Sequence, residues 1–443
     1  MAFNRRAFLS RTAAILGAGV AVGASVAPNK PAAASDDRRA AWEAYWAGIR
    51  QQFALSPEFI HLSAMFISSH PEPVRRAIEG YRRALDANPS VYLEENNSQL
   101  RGQALAAAAH YMGVSPQDIA LTDSTTMSVA LVYNGLMLHP GEEVLTSEQD
   151  YYVTHEALRL AAARTGARVR RITLYDDIRQ VSPEALAARV LQEVRPETRL
   201  VALTWVHSST GLKIPVRMIA DGLAQINASR PPDRPVLFGL DAVHGFGNQN
   251  AMPGHLGCDF FMAGCHKWLF GPRGTGVIVA SPRGWAMLRP TIPSFIDKES
   301  WSAWLERREP IGSYGASAMM AGGFKPYEHQ WALADTFAFH ERIGPSYIQA
   351  RTDELATQLK EGLVALPGIT LQTPRRTDLS AGIVSFDVAG MSADDAAARL
   401  KALGVAASVA PYATRHVRLT PSIYNTPGEI IQALEIVRAV AAG

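Results

Sequence analysis

The chemistry of this chain is carried first by a lysine, Lys267, at a sharp turn between two apolar runs. The turn after it contains two glycines and a proline, and the second apolar run covers residues 277–280. Two buried strands that meet at such a turn place the lysine at the edge of a core. Burial favours the neutral amine over the ammonium ion, and a neutral amine condenses with aldehydes. The alternative is a lysine that extends to solvent, as most lysines do.

A carboxylate, Asp241, helps to choose between these alternatives. It closes the apolar run of residues 236–240, where a buried strand would end. An aspartate at the end of a strand, followed along the chain by a lysine in a strand-turn-strand, indicates pyridoxal phosphate (PLP) as the cofactor. The carboxylate would keep the pyridine nitrogen protonated, so that the ring can absorb electrons from a substrate carbanion.

A hydroxyl-rich turn is the candidate seat for the phosphate group. Ser124, Thr125 and Thr126 follow a short apolar run and precede a helix that is predicted to extend to Leu136. Backbone amides at the start of a helix bind anions, and hydroxyl groups add donors. Capping a helix needs one hydroxyl group, so three in a row favour phosphate binding.

The elements that position these residues alternate between strand and helix. The predicted strands are 144–146, 168–172 and 200–206, and the predicted helices between and after them are 156–165, 183–194 and 216–228. This alternation predicts an α/β fold with a mostly parallel sheet covered by helices. Ligands of such sheets bind beyond the carboxyl ends of the strands. The candidate residues that follow predicted strand ends are Ser124, Tyr151, Ser208, Asp241 and Lys267, so we expect one site at one edge.

Two domains are predicted behind this edge. Residues 76–325 should form the large domain, and residues 326–443 a smaller α+β domain to which an arm of residues 35–75 contributes. A helix from Tyr327 to about Leu366, with a bend near Gly344-Pro345, should link them.

The first 34 residues resemble a twin-arginine export signal. Arg5-Arg6 precede a weakly apolar run rich in glycine and alanine, and residues 32–34 offer an A-x-A cleavage site. An ordinary secretory signal or an uncleaved anchor is the alternative, although the glycines argue against a membrane-spanning helix. We therefore expect a periplasmic protein that folds around its cofactor before export.

Composition excludes several other classes of protein. With 443 residues, 47% of them hydrophobic, and a net charge of +2, the chain can bury a large core and has no bias towards nucleic acid. Its two cysteines, Cys258 and Cys265, are too few for a disulfide framework and should pack as small apolar side chains. No metal site is expected, because no histidine lies at ligand spacing from them.

With these residues identified, the chain resembles the class V aminotransferase family of fold-type I PLP enzymes, over roughly residues 56–440. That family includes cysteine desulfurases and isopenicillin N epimerase. The resemblance is carried by Asp241 to His244, by His266-Lys267 with the glycines that follow, and by Arg418 to Thr426.

The resemblance implies a role for each candidate residue. Lys267 forms the Schiff base with the cofactor and then moves the α-proton of the substrate, and Asp241 pairs with the pyridine nitrogen. The other implied contacts are Thr125, Thr126 and His266 at the phosphate, His244 and Ser208 near the phenolic oxygen, Tyr151 over the ring face, and Ser313 at the phosphate of a partner subunit. A homodimer with shared active sites is therefore implied, and Arg418 would hold the substrate carboxylate.

Three positions depart from the family pattern. Ser208 stands where some relatives have an asparagine, and Gly264 replaces a phosphate-binding serine. Residues 408–414 correspond to the loop that carries the nucleophilic cysteine of desulfurases, and they contain no cysteine. The missing thiol argues against cysteine desulfuration.

The sequence thus predicts an exported PLP enzyme that acts on an amino-acid-like substrate by transaminase or epimerase chemistry. Tailoring of a peptide, such as a pyoverdine siderophore precursor in the periplasm, is the nearest alternative, and a C–S lyase comes third. A cofactor-free binding protein is the alternative from another class, and the joint presence of Lys267, Asp241 and the Thr125-Thr126 turn disfavours it.

Overall fold

The computed structural model describes residues 36–443, so the predicted export signal lies outside the described residues. Residues 46–443 form one compact unit, and the fold described below is mainly that of this unit.

The strands of the described residues are β1 (Ile60–His61), β2 (Ile119–Thr122), β3 (Glu143–Ser147), β4 (Arg168–Ile172), β5 (Thr198–Thr204), β6 (Leu237–Asp241), β7 (Phe260–Gly264), β8 (Gly276–Ala280), β9 (Ile369–Leu371), β10 (Val384–Val388), β11 (Val405–Ala406), β12 (Ser408–Val409) and β13 (Val417–Leu419). The α-helices are α1 (Asp36–Arg50), α2 (Glu72–Ala87), α3 (Pro89–Met112), α4 (Thr125–Gly135), α5 (Tyr152–Thr165), α6 (Pro183–Gln192), α7 (Val216–Ala228), α8 (Pro282–Ala286), α9 (Lys298–Glu306), α10 (Ala316–Met319), α11 (Tyr327–Trp331), α12 (Leu333–Ile343), α13 (Pro345–Val364), α14 (Ala393–Ala402) and α15 (Pro427–Ala441).

A seven-stranded sheet with the order β2-β8-β7-β6-β5-β3-β4 forms the centre of the molecule. Strand β8 runs opposite to both of its neighbours, and the other strands share one direction. Every residue of β5 is buried, as expected for a parallel strand covered on both faces. Edge strand β4 carries Arg168, Arg170 and Arg171, and such charges oppose pairing with another chain. The prediction of an α/β fold with a mostly parallel sheet is confirmed.

A four-stranded antiparallel sheet, β12-β13-β10-β9, lies in the predicted smaller domain. Its buried face shares a core with α13, α14 and α15, which includes Leu359, Phe386, Val417 and Ile430. Strand β1, from the predicted arm, pairs in parallel with β11. The exact domain limits stay predictions.

The helix predicted from Tyr327 to Leu366 is divided into α11, α12 and α13. The predicted bend at Gly344-Pro345 is a break, because Gly344 has a φ of 93° and Pro345 has no amide hydrogen to continue the helix. A second interruption, at Ala332, was not predicted, and the residue types at that position do not indicate it.

Candidate active site

The carboxyl ends of five like-directed strands lie at one edge of the seven-stranded sheet. The residues placed there are Ser124 to Thr126 after β2, Tyr151 after β3, Ser208 after β5, Asp241 at the end of β6, and Lys267 after β7. In the order of the sheet, the strand that leads to Lys267 and the strand that leads to Tyr151 are separated by β6 and β5. Along this edge, Asp241 therefore lies between Lys267 and Tyr151.

Lys267 and Asp241 follow neighbouring strands and act on each other electrostatically. Asp241 is 3% exposed, and its Oδ1 accepts a hydrogen bond from the amide of Val243 at 3.2 Å. Burial raises the pKa of Asp241 to about 6, and the lysine charge opposes this shift. Burial lowers the pKa of the partly buried Lys267 to about 8, and the carboxylate opposes that shift. At mildly alkaline pH much of Lys267 is therefore the neutral amine, the form that reacts with aldehydes.

The turn after Lys267 carries backbone strain. Phe270 has a φ of 56°, in the left-handed region that residues other than glycine rarely adopt, and its amide donates to the Lys267 carbonyl at 3.0 Å. Its ring stacks on His340 with centroids 5.5 Å apart and meets Phe53 and Tyr424 edge-on at 5.3 and 6.1 Å. This aromatic cluster holds the strained conformation and so fixes the angle at which the lysine leaves the strand.

The first turn of α4 provides an anion seat with spare donors. Ser124 caps the helix, since its Oγ accepts a hydrogen bond from the amide of Met127 at 3.1 Å. Capping therefore uses one hydroxyl group of the three and leaves Thr125 and Thr126. Thr126 is exposed. Thr125 Oγ1 is buried without a hydrogen-bond partner among the described residues, and such a group requires an explanation.

Gly264 and His266 complete this seat. A Cβ atom added at Gly264 would stand 2.8 Å from Thr125 Oγ1 and 3.1 Å from His266 Cε1, so both side chains approach this glycine more closely than a larger residue would allow. His266 Nδ1 is also buried without a partner in the described part of the chain. Burial lowers the pKa of His266 to about 4, which keeps the ring neutral. Two unpaired polar atoms, both close to Gly264 at a helix N-terminus, fit a phosphate group. Gly264 thus permits the close approach of Thr125 and His266 at a position where the family pattern has a hydroxyl.

His244 is held as a neutral ring beside the lysine. The indole nitrogen of Trp268 donates to His244 Nδ1 at 3.4 Å. Burial, together with the charges of Lys267 and Arg418, puts the pKa of His244 well below its ordinary value. Because Nδ1 accepts, the ring proton is on Nε2, which can donate to a cofactor oxygen. Trp268 was not singled out in the sequence, although it directly follows Lys267.

Arg418 is buried, and protein acceptors hold it in one orientation. Its Nε donates to Ser408 Oγ at 3.2 Å, its Nη1 to the carbonyl of Ser208 at 2.8 Å, and its Nη2 to the carbonyl of Val409 at 2.7 Å. A guanidinium has five N–H donors, so one donor remains on each terminal nitrogen after these bonds are made. Such a pair of donors suits a carboxylate. Burial lowers the pKa of Arg418 to about 10, which leaves it charged at neutral pH.

The structure adds Tyr412 to this group. Its hydroxyl lies 2.8 Å from Ser208 Oγ, and its ring centroid lies 5.7 Å from that of Tyr151. The sequence interpretation of residues 408–414 concerned the missing cysteine and overlooked this side chain. The sequence offers only a tyrosine in the loop just before the Arg418 strand, which does not reveal that the side chain faces the site.

Ser313 lies apart from these residues. It belongs to the exposed segment 311–313, and no hydrogen bond or ion pair within the described residues joins it to the site. Its contact with the phosphate of a partner subunit stays a prediction.

Other kinds of site are absent from the described part of the chain. Within residues 36–443, no three His, Cys, Asp or Glu side chains are grouped so that they could hold a metal ion. No helix in this range combines the length and apolarity needed to cross a membrane. Cys258 and Cys265 are free, and burial raises the pKa of each thiol to about 12, so both are protonated.

Comparison with known proteins identifies the family. Residues 67–420 match the family described as aminotransferase class-V. Isopenicillin N epimerase of Streptomyces clavuligerus is 27% identical over 343 residues, which cover 77% of this chain and 84% of that protein. A protein of Xylella fastidiosa strain Temecula1 named "Probable cysteine desulfurase" is 25% identical over 411 residues, which cover 87% of this chain and 93% of that protein.

Solved structures agree on the fold. A mutant of C-DES with glycine covalently linked to its PLP cofactor superposes with a TM-score of 0.77 at 21% identity, over 88% of this chain and 98% of the other. The predicted PLP-transferase fold type I is therefore confirmed. With the matched family covering most of its length, the chain belongs to the class V aminotransferase family and is an enzyme whose cofactor is pyridoxal 5'-phosphate.

Proposed function

We propose that this enzyme inverts the α-carbon of an amino-acid-like substrate, which is the chemistry of an epimerase. The carrying observation is the spare donor pair of Arg418 close to the Lys267 amine, whose pKa the Arg418 charge lowers. One group can hold the substrate carboxylate while the other reaches the α-proton. The similarity to an enzyme named isopenicillin N epimerase supports this reaction class.

Different residues of the site would bind different parts of the cofactor. Thr125 and His266 would hold the phosphate, Asp241 the pyridine nitrogen, and His244 the phenolic oxygen. When bound, PLP supplies an aldehyde for the substrate amine and a ring that stabilises the electron pair left by proton removal. Lys267 then takes the proton from the α-carbon as a general base and can return it as a general acid.

Two other reactions share this first step. Transamination returns the proton to a different carbon, and the contacts described above do not oppose it. Transfer of substrate sulfur to an enzyme thiol is opposed, because the partly buried Cys258 and the buried Cys265 are both protonated and residues 408–414 contain no cysteine. A cofactor-free binding protein is excluded by membership of a PLP-enzyme family in a chain that keeps Lys267 and Asp241.

We propose further that the enzyme acts in the periplasm. Arg5-Arg6, the weakly apolar run and the small residues at 32–34 support twin-arginine export of a folded protein that begins near Ser35. An exported amino-acid enzyme suits a substrate found outside the cytoplasm, and a peptide such as a pyoverdine precursor is one candidate.

We propose a homodimer for the same enzyme. Large apolar side chains near Ser313 are exposed: Trp301 is 58% exposed, Trp304 68%, Ile311 74% and Phe324 81%. Such a surface marks an interface with another protein. Covering it with a second copy would place Ser313 against the partner, as the family resemblance implies.

A single labelling experiment tests the proposed reaction. The purified holoenzyme is incubated in deuterium oxide with single enantiomers of amino acids and short peptides. Proton NMR then reports α-deuteration, and chiral chromatography reports configuration. We expect α-deuteration with inversion. Formation of a 2-oxo acid would identify a transaminase and release of sulfide a C–S lyase, while no α-deuteration of any substrate would refute the proposal.

A further inference from the structure

Tyr412 is turned towards the active site within a loop that otherwise faces solvent. Pro411, Ala413, Thr414 and Arg415 are all exposed, whereas Tyr412 is partly buried. The loop connects β12 to β13, the strand that carries Arg418. A tyrosine that packed merely as an apolar residue would have no reason to be the inward member of this loop with its hydroxyl in a polar site.

The hydroxyl of Tyr412 is anchored to the residue that also anchors the substrate-binding arginine. Ser208 Oγ lies 2.8 Å from the Tyr412 hydroxyl, and the carbonyl of Ser208 accepts from Arg418 Nη1 at 2.8 Å. The Tyr412 ring also packs against Tyr151. The phenol and the spare donors of Arg418 are therefore fixed to one residue, so a carboxylate bound by Arg418 brings its α-carbon near the phenol.

Tyr412 and Lys267 approach this position from different sides. Lys267 follows β7, whereas the two residues that Tyr412 contacts follow β5 and β3, beyond the Asp241 strand β6. With strands spaced about 4.8 Å apart, β7 and β5 are separated by about 10 Å. Inversion of a carbon centre needs a proton removed from one face and another delivered to the opposite face. Two groups on opposite sides of Asp241 meet that requirement.

We propose that Tyr412 is the second proton-transfer residue of this enzyme and acts on the face of the α-carbon opposite to Lys267. The inference rests on the proposed epimerase function. As the α-C–H bond breaks, its proton joins the Lys267 amine, and its electron pair is held by the cofactor ring. A new C–H bond then forms on the other face as the Tyr412 O–H bond breaks. The proton on Lys267 returns to the phenolate through solvent, and the reverse reaction exchanges the two roles.

The electrostatic surroundings of Tyr412 suit this role. Burial and the charges of Asp150 and Asp241 raise the pKa of the phenol, so the acid form is present at neutral pH, while Ser208 and the Arg418 charge oppose the shift. Arg418 can therefore stabilise the phenolate once the proton has left. The charged groups that act on Tyr412 therefore come from two places. Asp150 and Asp241 lie at the edge of the seven-stranded sheet, and Arg418 lies on β13, the strand that follows the Tyr412 loop.

The test compares Tyr412→Phe with Tyr152→Phe, a matched control. Tyr152 neighbours Tyr151 but is 66% exposed, so its hydroxyl can be removed without altering the site. Each enantiomer of a substrate that the wild type inverts is incubated separately in deuterium oxide. In Tyr412→Phe we expect inversion to fall by about 10²–10⁴-fold, the range for loss of a general acid or base. Deuterium exchange with retention should continue for the enantiomer whose proton faces Lys267. Tyr152→Phe should match the wild type.

Equal loss of exchange and inversion, or unchanged inversion, in Tyr412→Phe would overturn the role of Tyr412. Absence of exchange in the wild type would instead overturn the proposed function, so the two failures are distinguishable.

A second readout does not depend on catalysis. In cofactor-free protein labelled with ¹³C at tyrosine Cζ, one NMR resonance should disappear in Tyr412→Phe. In the wild type this resonance should keep its phenol shift at a pH of about 11, where an unperturbed tyrosine is ionised, and Ser208→Ala should move it. Ordinary titration of this resonance would show that the phenol is not held as described.

Discussion

Removing the Arg418 side chain gives the sharpest test of how substrate is held. Arg418→Ala deletes the two donors that are free for a carboxylate and the three that bind Ser408, Ser208 and Val409. Truncating one partner of a buried charge pair costs about 2–5 kcal/mol. At 1.4 kcal/mol per factor of ten, kcat/KM should fall by about 30- to 4,000-fold.

The same substitution also affects the fold, and the two effects must be separated. The carbonyls of Ser208 and Val409 lose their donors, at a cost of about 1–3 kcal/mol each in the free energy of unfolding. Urea unfolding of the variant measures this loss in the free energy of unfolding directly. Arg418→Lys is the companion variant, since it keeps a positive charge and loses the paired donors.

The deciding assay uses an α-carboxylate substrate and its decarboxylated amine. We expect Arg418→Ala and Arg418→Lys to lose activity on the carboxylate substrate and to change little on the amine. The absorbance of the bound cofactor should stay the same, because in the proposed arrangement Arg418 contacts the substrate and not the cofactor. An equal loss of kcat/KM on both compounds would show that Arg418 supports the fold and does not bind the carboxylate.

Four further predictions concern the cofactor and export. After hydride reduction, peptide mapping should find the cofactor on Lys267 in the wild type and no cofactor adduct in Lys267→Ala. Lys360 is the internal comparison, because burial also lowers its pKa to about 8. A cofactor adduct on Lys360 would refute the assignment of Lys267. Asp241→Asn should bind PLP with a reduced kcat, because an amide cannot hold the pyridinium. In the cofactor-free protein the pKa of Asp241 is raised from 3.8 to about 6, so the stability that the protonated carboxyl contributes is complete below pH 3.8 and is lost as pH rises through 6. Urea unfolding should therefore show that the Asn variant loses less stability than the wild type over that range. Identical pH profiles of the two proteins would contradict this. Gly264→Ala should weaken PLP binding in a fluorescence titration, since its methyl group would stand 2.8 Å from Thr125 Oγ1; unchanged affinity would place the phosphate elsewhere. Replacing Arg5 and Arg6 with lysine should abolish periplasmic protein in cell fractionation, and undiminished export would exclude the twin-arginine route.

The site residues that could be predicted from the sequence are those marked by a pattern of neighbouring residues. Lys267 and Asp241 end short apolar runs, and strand order then brings such ends to one edge of a parallel sheet. The anion seat was indicated in the same way, because its three hydroxyl groups are adjacent in sequence. Which of them caps the helix could be decided only from the geometry of Ser124.

The residues that sequence missed depend on contacts between distant segments. Tyr412 meets Ser208 across 204 positions of the chain, and no periodicity in either segment records that pairing. The close approach of Thr125 to Gly264 has the same origin, because the two residues belong to distant segments of the chain. The predicted contact of Ser313 with a partner subunit stays a prediction, because one sequence cannot position a second chain.

The aromatic cluster around Phe270 has a consequence for the order of events during translation. The ring that fixes the lysine turn is held by Phe53, from near the start of the fold, and by Tyr424, which is synthesised well after the last strand of the seven-stranded sheet. A nascent chain still on the ribosome can form strands β2 to β8 before Tyr424 exists. We therefore expect the lysine to reach its final angle only after residue 424 has been synthesised. Cofactor loading is then expected to follow the synthesis of Tyr424, and a stop codon just before residue 424 is expected to yield a sheet without a competent lysine.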